Sequence, residues 1–144
     1  MFKHIFLPTD GSETSLRAVQ KGIELARCFG AEITVMTAIE HFPAGIMGSD
    51  YRPEGEPPHD VARDIAMERL DAAEALVKAA GLRCHRVLTR ERAVFRGIVE
   101  AAETAGADLI VMGTHGAGAL ERMFVGSQTQ RVIAHTNLPV LTLH

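Results

Sequence analysis

The chain predicts an α/β fold: one domain spanning 1–144, with a doubly wound five-stranded parallel sheet in the Rossmann-like order 3-2-1-4-5 and helices on both faces. Two patterns point there. Short runs that are apolar throughout suit strands buried on both faces, and the stretches between them carry apolar residues at helical spacing. Their strict alternation calls for a parallel sheet, and right-handed crossovers restrict it to the doubly wound form.

The first strand is HIFLP (4–8), stopped by Pro8. Leu16, Val19, Ile23 and Ala26 then mark an amphipathic helix, with Ser12 as its N-cap and Gly30 as its stop. EITVMTAI (32–39) is the second strand. Residues 41–58 hold four prolines and three glycines without periodicity, which predicts a long loop and a candidate lid. Asp60 leads a long helix with Ala62, Ala66, Leu70, Ala73, Val77 and Ala80 on one face, ended by Gly81. The third strand covers 82–89, and a helix over about 93–105 follows with Ile98, Ala102 and Ala105 on one side. ADLIVMG (107–113) is the clearest buried strand, 127–135 the last helix, and LPVLTLH (138–144) the fifth strand.

With 47% apolar and 23% charged residues, the 144-residue chain has an ordinary globular balance. A net charge of −3 gives no global attraction toward nucleic acid or an anionic membrane, so neither is expected as a partner. No apolar run approaches the roughly 20 residues that span a bilayer. The N-terminal FKHIFLPTD lacks a signal-peptide layout, which places the protein in the cytoplasm. Cys28 and Cys84 fall in apolar-periodic segments and are expected to be buried. Of seven histidines, none is paired at i, i+3 or i+4 on a helix, and no Cys/His spacing resembles a zinc module.

In an open α/β sheet, ligands sit beyond the carboxyl ends of the strands, where strand order reverses. For order 3-2-1-4-5 that crevice lies between strands one and four. Strand one delivers Pro8-Thr9-Asp10-Gly11 to it, strand two Ala38, and strand four GTHGAGALERMFVGS (113–127). Bare glycine backbone can turn its N–H groups toward an anion. Gly113 and Gly116 fit such a cradle, and Ser127 would open a helix whose N-terminus favours negative charge. The alternative is structural: Gly113 ends a strand and Ser127 is an N-cap. A Walker loop is excluded because Gly126 stands where its lysine belongs. A dinucleotide fingerprint from Gly116 fails at Glu121.

The spacing Gly113-x2-Gly116-x9-Gly126-Ser127 resembles the G-2x-G-9x-G(S/T) nucleotide signature of the universal stress protein family. FKHIFLPTDGSETSLRAV looks like that family's first strand and helix, ADLIVMGTHG like its fourth strand and NLPVLTL like its closing strand. The resemblance covers the whole chain. It implies a five-stranded parallel sheet, homodimers paired through the fifth strands, ATP binding, and a role in stress tolerance without a well-defined catalytic reaction. Carried over by position, it sets Asp10 near ribose or phosphate, Ala38 at the adenine, and Gly113, Gly116, Gly126 and Ser127 on the phosphates, with Thr114, His115 and Gln128 beside them. Pro8, Thr9, Met112 and Thr129 complete the candidate contacts.

Three positions depart from the family pattern. Ala117 stands where many nucleotide-binding relatives carry a basic residue, and Gln128 where a small or β-branched one is common. TRERAVFRG lacks the Gly-x-Pro often found before the third helix. Arg122 would compensate for Ala117 if it points inward.

Mg²⁺ arriving with ATP would use phosphates plus one or two carboxylates. Asp10 is the candidate; its alternative is a turn role in the Asp-Gly pair. The apolar fifth strand, 138–143, carries no protective lysine and would be covered by an identical strand of a second copy, or by a helix or tail. No nucleophile has an evident activating partner. A nucleotide-binding dimer is therefore the leading expectation. The alternatives are a slow ATPase or autophosphorylating protein using the same site, and a nucleotide-free interaction protein.

Overall fold

The structure is a computed structural model that describes residues 1–39, 61–114 and 126–144. Nine elements follow one another: β1 (His4–Pro8), α1 (Glu13–Phe29), β2 (Glu32–Ala38), α2 (Val61–Ala79), β3 (Cys84–Thr89), α3 (Val94–Thr104), β4 (Leu109–Gly113), α4 (Ser127–His135) and β5 (Val140–Leu143). The strands form one sheet in the order β3-β2-β1-β4-β5, and every adjacent pair is parallel. The expected fold class and strand order are both present.

Successive residues of β1 serve opposite faces. Ile5 and Leu7 join Ile33, Val35 and Val111 under α1 and α2, where Val19, Ile23, Leu70 and Val77 close the layer. Phe6 joins Met36, Ile110 and Met112 under Ile98 and Ala102 of α3 and Val132 of α4. Both faces of the central strands are therefore apolar, which explains why these strands read as continuous apolar runs.

Ser12 caps α1 by accepting the Ser15 N–H at 3.2 Å, and Gly30 ends it with φ 66°. The buried stripe of α1 is Ser15, Ala18, Val19, Gly22, Ile23 and Ala26, while Leu16 is only half-buried. Small residues bring this helix closer to the sheet than a leucine-led stripe would. At Gly22 a Cβ would collide with the methyls of fully buried Leu7. Gly22→Ala would gain up to about 1 kcal/mol of helix propensity. Overpacking against Leu7 costs about 1–3 kcal/mol, so the clash should win. A melting temperature lowered by several degrees is the expected result, and a raised one would contradict this packing.

The start of β4 differs from expectation for a specific reason. Asp108 precedes the strand, and its carboxylate accepts the N–H groups of Lys3 at 2.8 Å and His4 at 3.1 Å. The Asp108 N–H also donates to His4 O at 2.9 Å, so side chain and backbone together tie this residue to β1 just ahead of the strand. The expectation for the cysteines fails at Cys28, which is exposed because it lies beyond the buried stripe of α1. Cys84, on edge strand β3, is half-buried.

Opposite the carboxyl ends of the strands, Glu32 accepts from His85 Nε2 at 3.1 Å and lies 3.7 Å from His4 Nδ1 and 3.8 Å from Arg83. The His85 hydrogen bond leads in holding its carboxyl below the ordinary 4.5, partial desolvation opposes it, and positive charge on His4, His85 and Arg83 adds to the lowering. A carboxyl lowered on folding contributes stability above its unfolded value and loses it as pH falls through the folded one. Glu32→Gln should therefore melt lower than the wild type at neutral pH, with the difference fading below pH 4.5. A difference that persists undiminished in acid would contradict the ion-pair account.

No described helix is long and apolar enough to cross a membrane.

Candidate functional site

The carboxyl ends of β1, β2 and β4 and the N-terminus of α4 surround one cavity of about 380 Å³. Pro8, Thr9 and Asp10 arrive from β1 and its exit, Ala38 from β2, Met112, Gly113 and Thr114 from β4 and its exit, and Gly126, Ser127, Gln128 and Thr129 from the start of α4. Eleven of the thirteen residues expected from the sequence thus line a single space. The other two, His115 and Gly116, lie outside the described residues, as do Ala117, Arg122 and the 41–58 segment.

Sequence reasoning missed Ser15, Met36, Arg69, Val94 and Ile98, which also line the cavity. Met36 and Ile98 belong to the core layer shared with Phe6, so the cavity's apolar wall is the upper surface of the core.

Three buried threonines on the cavity brace its walls. Thr9 Oγ1 pairs with Ser15 Oγ at 2.9 Å and accepts the Gly11 N–H at 3.1 Å, while the Thr9 N–H donates to Met36 O at 2.8 Å. Thr129 Oγ1 donates to Gly113 O at 3.0 Å, locking α4 to the end of β4. The Thr114 N–H donates to Leu143 O at 2.8 Å, anchoring the exit of β4 on β5. The Thr9 and Thr129 hydroxyls and the Thr114 N–H together hold the backbone that surrounds the site.

Asp10 takes the turn role that its sequence offered, and it also borders the cavity. It lines the cavity, and its Oδ1 accepts the Ser12 N–H at 2.9 Å in a tight turn. Gly11 beside it has φ 78°, a left-handed conformation that glycine adopts freely. Gly113 meets a steric demand as well: a Cβ there would come within 2.9 Å of Thr14 Cγ2 and 3.1 Å of the Thr14 backbone.

Helix α4 starts at N-cap Gly126, and among the described residues no side chain caps it. Its first N–H groups and the positive end of its dipole open beside Ser127 into the cavity. The side chain of Gln128 turns elsewhere: its Oε1 accepts the Phe95 N–H at 3.1 Å. Helix α3 has Ala93 as its N-cap and no capping side chain of its own, so Gln128 takes over that task from α4. Among the described residues, no group of three His, Cys, Asp or Glu is placed to hold a metal ion.

A doubly wound parallel sheet with a crevice at its switch point defines a class of α/β domains. Within that class the chain belongs to the universal stress protein family, whose profile matches residues 1–144. It is 38% identical over 143 residues to a universal stress protein of Thermus aquaticus, covering 98% of each chain. It is 34% identical over 143 residues to one from Methanocaldococcus jannaschii, covering 99% of this chain and 82% of that one. A solved universal stress protein in complex with cAMP superposes with a TM-score of 0.72 at 25% identity, over 99% of this chain and 97% of the other.

Proposed function

We propose that this cavity binds an adenine nucleotide, ATP in the first place, and that the protein acts as a binding module of stress physiology rather than by chemical turnover. The observation that carries the proposal is the uncapped start of α4, aimed into the cavity that the exits of β1, β2 and β4 also line. Such a helix start offers backbone donors to a phosphate without requiring a basic side chain. Gly126 and Ser127 hold the phosphates there, Gly113 and Thr114 support them from β4, and Pro8, Thr9, Ala38 and Met112 form the wall toward the base and sugar. The structurally similar protein in complex with cAMP supports an adenine nucleotide as the ligand class. If Mg²⁺ accompanies the phosphates, Asp10 is the carboxylate at hand.

The dimer is the second part of the proposal. Strand β5 is an edge strand, and Leu141 on it is 41% exposed. An apolar edge of this kind is a template for pairing, and an identical strand from a second copy would cover it. Cytoplasmic residence is proposed with it.

Calorimetric titration with ATP tests the binding, alongside sedimentation and an assay of phosphate release. One nucleotide per chain, a dimer at micromolar concentration and negligible release are expected. Absence of heat up to about 1 mM ATP would overturn the binding proposal. Saturable release would replace a binding module with a slow ATPase.

A further inference from the structure

Among the described residues that line the cavity, two carry charge: Asp10 and Arg69. Arg69 lies on α2, a helix whose buried residues Leu70, Ala73 and Val77 pack on the sheet's other face from α3 and α4. It reaches the site by running across the backbone at Gly11. A Cβ at that position would meet Arg69 Cγ at 2.8 Å, Cδ at 3.1 Å and Nε at 3.2 Å. Gly11 is thus required twice, for its positive φ and for the passage of this side chain.

We propose that Arg69 is the cation that a phosphate of the bound nucleotide meets, and that it makes the site prefer phosphorylated ligands over the bare nucleoside. The proposal rests on the cavity being a nucleotide site. A phosphate entering this space meets backbone donors at α4 but also the carboxylate of Asp10, whose like charge opposes it. A guanidinium that passes Gly11, the residue after Asp10, offsets that charge and donates in a fork that fits phosphate oxygens. Position 69 lies on α2, not on β4 or α4, and its side chain passes Gly11 just beyond the end of β1.

The test compares ATP with adenosine in the full-length wild type, Arg69→Gln and Arg69→Lys, with a thermal melt of each. Arg69→Gln should weaken ATP by about 10- to 100-fold, the range of a lost charge-assisted hydrogen bond. Adenosine should change by less than about 3-fold, since no charged contact is lost. Arg69→Lys should recover part of the ATP affinity by keeping the charge without the fork. The salt dependence of ATP binding should become shallower in Arg69→Gln. Equal losses for ATP and adenosine would make Arg69 a structural residue and overturn the proposal, as would unchanged ATP affinity. Should Arg69→Gln melt below the assay temperature, Arg69→Lys decides alone, with a selective loss of ATP supporting the proposal and no loss opposing it. A wild type that binds neither ligand would refute the nucleotide site itself, an outcome separate from these.

Discussion

Gly126→Val should weaken ATP binding by about 100-fold or more while leaving the fold in place. The expectation follows from two properties of one residue. Gly126 is the N-cap of α4 with φ −55° and ψ 149°, a conformation that valine adopts without strain. Replacing an N-cap glycine by an aliphatic residue costs of the order of 1 kcal/mol or less, and one kcal/mol moves a domain of this size by roughly 2–4 °C. The isopropyl group would occupy the cavity at the point where the helix presents its free donors. Losing two phosphate hydrogen bonds there, each worth about 1.5–3 kcal/mol to a charged group, gives a loss of two orders of magnitude or more. Calorimetry and a melting curve separate the two effects. A melting temperature lower by more than about 10 °C would show that Gly126 supports the fold instead.

The largest stability effect is expected at Phe6, on the central strand β1 with none of its surface exposed. Phe6→Ala should destabilise by about 3–5 kcal/mol, from lost burial and the cavity left behind. Domains are commonly stable by only about 5–15 kcal/mol, so this is a large fraction of the total. Chemical denaturation should show the midpoint falling with little change in slope. A loss below about 1 kcal/mol would mean that the layer under α3 and α4 repacks freely. Phe6 shares that layer with Met36, Ile98 and Met112, whose upper surfaces form the cavity wall. Binding should therefore weaken too, and saturating ATP should restore part of the stability by mass action.

The site was legible wherever its residues follow a strand directly. A buried parallel strand declares itself as an apolar run, so the exits of β1, β2 and β4 could be placed from HIFLP, EITVMTAI and ADLIVMG alone. With crossover handedness giving a doubly wound sheet, and the Rossmann-like order taken for it, those exits converge. What escaped depends on how helices sit on the sheet. Met36 and Ile98 carry apolar side chains that read as core, and they are core; that the core surface is also the cavity wall is a tertiary fact. Arg69 sits among charged residues on α2 and has no local mark, because its reach over Gly11 depends on the tilt of that helix. Ser15 was hidden inside a helical stripe. Val19, Ile23 and Ala26 of that stripe are buried as read, whereas Leu16 is only half-buried and Ala18 and Gly22 join the buried face. Gln128 was singled out as unusual without its purpose, since capping α3 from α4 is a contact across 33 positions of sequence.

The central claim is that the cavity holds an adenine nucleotide. Its most direct test is to purify the protein without added nucleotide, denature it, and identify any released small molecule by chromatography and mass, with Gly126→Val treated in parallel. Near-stoichiometric adenine nucleotide from the wild type, absent from the variant, is the predicted result. Release of nothing, together with no binding of ATP up to about 1 mM, would contradict it.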